Sequence, residues 1–172
     1  MNIFLIGYMG SGKSTIGKQL AKVLGFGFID LDRYIEQQEG LTVETIFAEK
    51  GELYFRKAES KHLKAVLDLN NSVVALGGGT PCYGNNMALI KACENAKSIY
   101  LKASIKTLAA RLAEAQSTRP LIAHLKTRAE LEEFIAKHLF ERANYYSLSD
   151  VAIAVDDLEI EQIMERLVLK LF

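Results

Sequence analysis

The sequence predicts an α/β fold with a parallel sheet buried on both faces, and three observations carry that prediction. Short apolar runs alternate with longer segments of helical periodicity along the 172 residues. A glycine-rich stretch, "IGYMGSGKSTIG" at positions 6–17, stands directly between the first apolar run and the first helical pattern. Nearly half of the residues, 49%, are apolar, enough for one buried core in a chain of single-domain length. We therefore expect one domain over residues 1–172.

The apolar runs that read as strands are residues 2–6, 27–30, 72–76, 98–101 and 151–155. Helical patterns occupy residues 13–24, 32–38, 43–69, 86–92, 105–115, 128–145 and 158–169. Thr42 and Asp157 stand where N-caps are expected, and Gly25 and Gly40 where helices should stop. Residues 116–126 ("QSTRPLIAHLK") carry the second of two prolines and weak periodicity, and read as a surface loop. Lys plus Arg equals Asp plus Glu at 21 each, so no overall basic field points to nucleic acid or an anionic membrane. Two cysteines, Cys82 and Cys93, lack disulfide or zinc spacing and read as reduced thiols. No apolar stretch reaches the roughly 18 residues of a membrane span, and no signal-peptide pattern opens the chain. A cytoplasmic protein is expected.

Gly7-x4-Gly12-Lys13-Ser14 matches the phosphate-loop pattern, with a strand before it and a helix after it. Glycines let backbone N–H groups turn toward phosphates with no Cβ in the way, and the helix that follows adds the positive end of its dipole. Gly10, Ser11, Gly12, Lys13, Ser14 and Thr15 are thus the candidate nucleotide contacts. Lys13 would reach the β- and γ-phosphates from a solvent-facing position, and the Ser14 hydroxyl would ligate Mg²⁺. A nucleoside triphosphate is the expected ligand.

The acceptor side is less local. "FIDLDRYIE" puts Asp30 and Asp32 at the carboxyl end of the second strand, the edge where open α/β sheets bind ligands. Strand alternation would turn both carboxylates to one side. One could hold the water shell of Mg²⁺ while the other accepts a proton from a hydroxyl; alternatively, Asp32 caps the next helix. "VVALGGGT" follows the third strand with Gly77, Gly78 and Gly79, more glycines than a turn needs, which permits close approach to a ligand. Arg56, Arg119 and Arg142 offer planar guanidinium groups suited to a carboxylate or to a phosphoryl group in transfer.

The ordered set of phosphate loop, D-x-D, G-E-x-x-F-R, G-G-G, R-P-L and R-x-x-x-Y resembles shikimate kinase over residues 1 to about 155. The resemblance implies a three-layer fold, a five-stranded parallel sheet in the order 2-3-1-4-5 flanked by helices. It implies transfer of the γ-phosphoryl of ATP to the 3-hydroxyl of shikimate, with Mg²⁺, in aromatic amino-acid biosynthesis. By the family pattern Asp32 binds the ring hydroxyls and orients or deprotonates the acceptor, while Asp30 sits near the Mg²⁺ water shell. Arg56 and Arg142 clamp the substrate carboxylate, and Gly77, Gly78 and Gly79 line its other side. Arg119, on a mobile lid at about 112–126, swings onto the phosphates, and Arg111 stacks on adenine. Phe47 and Phe55 would pack against the substrate ring, or else lie in the core.

The stretch from Arg111 to Arg119 is one residue longer than the family pattern, and the strict alternative register would put Leu112 under the base, where it could pack against adenine. The family's R-x-P-L-Y is here Arg142-Ala-Asn-Tyr145-Tyr146, without the proline. A monomer that binds shikimate and ATP is expected. A nucleoside monophosphate kinase would need a base-reading pocket and no carboxylate clamp. Gluconate kinase lacks a task for G-G-G with Arg56 and Arg142. A GTP switch would carry N-K-x-D, which is absent from the sequence. An inactive binding module would show a damaged phosphate loop or D-x-D, and both are intact.

Overall fold

A computed structural model describes residues 1–115 and 121–172. Five parallel strands, β1 (Asn2–Ile6), β2 (Gly27–Asp30), β3 (Ser72–Ala75), β4 (Ala96–Lys102) and β5 (Val151–Ala154), form one sheet in the order β2-β3-β1-β4-β5. The order is the one that the family resemblance implied. Central β1 is buried along its whole length, as a strand covered on both faces must be. Parallel neighbours require crossover connections, and helices supply them. The crossover helices are α1 (Lys13–Leu24), α2 (Leu31–Glu39), α3 (Val43–Leu67), α4 (Asn86–Ala92), α5 (Ile105–Glu114) and α6 (Arg128–Tyr146), and α7 (Ile160–Leu171) follows the last strand.

Gly25 and Gly40 end α1 and α2 in the left-handed conformation, and Thr42 caps α3 through Thr45 N–H, as the sequence suggested. Asp157 does not cap α7. It sits in the loop at φ 52°, and Glu159 caps the helix in a reciprocal box with Gln162. The helix expected over residues 43–69 is broken at Gly51, whose φ of 81° and ψ of 169° leave the helical region. That break lets the segment bearing Arg56 take a new direction toward the sheet edge.

Of the segment read as a surface loop, residues 121–126 are described, and not all of them stay at the surface. Leu112, still within α5, is 1% exposed, and Ile122 is fully buried. Apolar side chains at these positions gain more by joining the core than a surface loop would allow. The two cysteines are not disulfide-linked. Among the described residues no helix is long and apolar enough to cross a membrane.

Candidate active site

The chain leaves β1 at Ile6 and curls through the glycines into α1. Gly10 and Gly12 have φ of 82° and 95°, the left-handed region that a side chain disfavours. Ser11 N–H donates to Tyr8 O at 3.2 Å and closes the loop on itself. The first turn of α1 contributes no acid of its own, and its N-terminal end lines the cleft. Lys13 is half-buried rather than solvent-facing: its ammonium donates to Gly7 O at 2.8 Å and Tyr8 O at 3.0 Å. The curl of the loop brings those two carbonyls over the first residue of the helix. Ser14 and Thr15 are exposed beside it.

Asp30 and Asp32 do come together, but not through strand alternation. Asp30 ends β2, and Asp32 is already in the first turn of α2. The capping role suggested for Asp32 belongs to Asp30, which accepts from Arg33 N–H at 3.3 Å. Its other oxygen accepts from the Ser14 hydroxyl at 3.0 Å. Among the described residues no hydrogen-bond donor reaches the Asp32 carboxylate. Burial is the main cause that pushes its pKa from 3.8 up to about 6; the charges of Asp30, Glu59 and Glu36 add to it, and Lys13 opposes.

The three glycines after β3 each face a different partner. A Cβ at Gly77 would lie 3.0 Å from Asp32 Oδ1, one at Gly78 3.3 Å from Arg142 Nη1, and one at Gly79 2.7 Å from Arg56 Nη2. Side chains at this turn would displace the acid and both arginines, which is the physical reason for three consecutive glycines. Arg56 is held by Glu59, 1% exposed, through an ion pair of 2.8 Å, and Glu59 also accepts from the Thr80 hydroxyl at 2.6 Å. Arg142 has no carboxylate partner among the described residues. Tyr146, fully buried, donates to Gly78 O at 2.6 Å and pins the strip against α6. Phe55 lies in the core, while Phe47 stacks on it at 4.7 Å and stays 38% exposed.

Residues Gly10 to Thr15, Asp30, Asp32, Gly77, Gly78 and Arg111 line one cleft of about 600 Å³. Gly79, Arg56 and Arg142 are not on that lining and border it through Gly78. Arg111 donates to Gly10 O at 3.1 Å, and Leu158, Ile160 and Ile163 line the same cleft. Leu112 points instead under the loop, against the Cα side of Gly10, so the strict register that placed it beneath a base does not hold. Arg119 lies outside the described residues, as does the centre of the expected lid.

Sequence reasoning missed Glu59, Tyr8 and the apolar lining that Leu158 and the start of α7 give the cleft. The i,i+3 spacing of Arg56 and Glu59 was a usable signal for the first. For the others the signal exists in three dimensions alone.

The shikimate kinase family model matches residues 9–172. A shikimate kinase from Flavobacterium johnsoniae is 46% identical over 164 residues, covering 95% of this chain and 94% of its own. The chain belongs to the shikimate kinase family. It is an ATP-dependent phosphotransferase with shikimate kinase activity. The crystal structure of a shikimate kinase from Bacteroides thetaiotaomicron superposes with a TM-score of 0.92 at 38% identity, over 99% of this chain and 98% of that one. A shikimate kinase from Acinetobacter baumannii, solved in complex with shikimate, gives 0.87 at 27% identity, over 99% and 92%.

Proposed function

We propose that this shikimate kinase works by holding the two substrates head to head across the phosphate loop, with Asp32 on the 3-hydroxyl of shikimate and Lys13 on the γ-phosphoryl of ATP. The observation that carries the proposal is the glycine strip, which brings one carboxylate and two guanidinium groups to a single turn. Arg142 and Arg56 bind the substrate carboxylate. Arg142 brings a charge with no carboxylate partner among the described residues, and Arg56 a fork already aimed by Glu59. Asp32 accepts a hydrogen bond from the acceptor hydroxyl. With its pKa near the working pH, it can orient that hydroxyl and take its proton as the new O–P bond forms and the bond from the γ-phosphorus to the bridging oxygen breaks, releasing ADP. In a loose transition state the orientation carries much of the effect.

Lys13 and Arg119 stabilise the negative charge on the transferring group. Adenine fits between the Arg111 guanidinium and the wall of Leu158, Ile160 and Ile163. For Mg²⁺, the donors suit a hard cation that keeps its water. The Ser14 hydroxyl and Asp30 carboxylate adjoin at the head of the loop, and among the described residues no acid, His or Cys cluster would cage a metal. Ser14 would ligate it directly and Asp30 through water; when bound, the cation neutralises phosphate charge. The working unit of this scheme is a monomer.

The test is a coupled assay of ADP formation from ATP. Shikimate should raise the rate by orders of magnitude, while gluconate and nucleoside monophosphates should not. ADP release that is indifferent to shikimate would overturn the proposal.

A further inference from the structure

Tyr8, the second residue of the phosphate loop, has no assigned task, yet it makes three separate contacts. Its carbonyl accepts from the Lys13 ammonium at 3.0 Å. The Arg142 guanidinium lies over its ring, 5.7 Å from the centroid. Its hydroxyl shares a hydrogen bond of 2.8 Å with Nδ1 of His138, 130 residues away on α6. The side chain is 1% exposed, so this hydroxyl has no ready substitute partner in bulk water. Burial pushes the Tyr8 phenol up to about 12 and holds the His138 imidazole below its usual value, so at neutral pH the phenol keeps its proton and the imidazole can accept it. His138 is itself wedged edge-on against Phe134 at 4.4 Å. It precedes Arg142 by four residues and so lies on the same face of α6.

We propose that the Tyr8–His138 hydrogen bond is a positioning device for Arg142. His138 fixes the tilt of the Tyr8 ring, and that ring is the platform that holds the guanidinium toward Gly78 for the carboxylate of the acceptor. The inference rests on the reading of Arg142 as a carboxylate ligand. Arg142 has no acid to hold it: the Tyr146 hydroxyl accepts from one edge of its guanidinium, and the Tyr8 ring beneath its face is the second source of order. Loss of the bond lets the ring tilt and spreads the guanidinium over several rotamers. The acceptor then pays that ordering on binding, while the reacting hydroxyl, Asp32 and Lys13 stay in place. The backbone carbonyl that anchors Lys13 is unaffected by a change in the Tyr8 side chain.

The test compares Tyr8→Phe, His138→Leu, His138→Asn, the double variant Tyr8→Phe/His138→Leu, and Arg142→Ala, in steady-state kinetics and by calorimetric titration with shikimate. Tyr8→Phe and His138→Leu should each raise the KM and Kd for shikimate about five- to tenfold, the effect of one buried hydrogen bond, with kcat changed less than about threefold. The double variant should be no worse than either single one, because both remove the same bond. His138→Asn keeps an acceptor near the Nδ1 position and should recover most of the affinity. Arg142→Ala should raise the KM more than any of them. If Arg142→Ala leaves the KM unchanged, the carboxylate reading fails and the inference with it. If Arg142→Ala raises the KM but Tyr8→Phe and His138→Leu do not, the inference alone is overturned. A fall in kcat at constant KM would overturn it too, by placing the effect of Tyr8 on Lys13.

Discussion

Replacing Asp32 by asparagine should make the substrate-free protein more stable while it abolishes most of its turnover. The Asp32 carboxyl is held at about 6 against 3.8 in an ordinary setting, chiefly by burial, with Asp30, Glu59 and Glu36 adding to it. A raised acid pKa means that the fold favours the protonated form. The contribution is fully present below the unfolded value and is lost as pH rises through the folded one. At pH 8 the native state therefore carries the whole cost of an ionised Asp32, about 3 kcal/mol at 1.4 kcal/mol per pKa unit. Asparagine has the same shape and no charge, so it should recover that amount at pH 8 and only a small part of it at pH 4. For a chain of this size the gain at pH 8 corresponds to a Tm higher by about 6–10 °C. Thermal unfolding of wild type and Asp32→Asn without ligands, at pH 4, 6 and 8, reads the difference directly. A variant no more stable than wild type at pH 8, or equally stabilised at all three values, would refute the reasoning. Shikimate affinity and turnover should fall together, with ATP affinity little changed; the reverse pattern would give Asp32 to the metal side.

Lys13→Ala should lower kcat by about 10²-fold or more with little change in Tm, since its ammonium bonds two loop carbonyls and packs no core; retention of half the wild-type kcat would sink the assignment. Gly79→Ala is compatible with the backbone at φ −89° and ψ −15°, but its Cβ would meet Arg56 Nη2 at 2.7 Å, so the KM for shikimate should rise about tenfold with the fold intact. An unchanged KM in that variant would mean that Arg56 is not held at this turn during binding. Arg119→Ala should reduce kcat on the order of 10³-fold while raising the KM for shikimate far less, and equal effects on both would place Arg119 in ground-state binding.

The phosphate loop, the alternation of strands and helices and the helix stops at Gly25 and Gly40 were legible in the sequence because their chemistry is local. A loop that cradles phosphate needs its glycines, lysine and serine within eight consecutive positions, and a left-handed C-cap needs one glycine. That the acids Asp30 and Asp32 and the strip Gly77–Gly79 share one edge of the sheet could be read because strand ends deliver them there. Which acid does what could not be read. Asp30 spends its carboxylate on Arg33 and Ser14, and Asp32 owes its shifted pKa to burial and to charges as far along the chain as Glu59. The matching of each glycine to its partner, Gly77 to Asp32, Gly78 to Arg142 and Gly79 to Arg56, spans up to 64 positions and arises when α2, α3 and α6 converge on the end of β3. The same holds for the choice of Arg111 over Leu112 at the cleft, decided by which face of α5 the core claims. The break at Gly51 interrupts a pattern that reads as helix throughout, because glycine permits a left-handed turn without requiring one. Tyr8 and His138, 130 residues apart, meet only because α6 packs across the loop that follows β1. Local pattern named the groups, and packing over long distances in the chain decided their partners, their charge states and their aim.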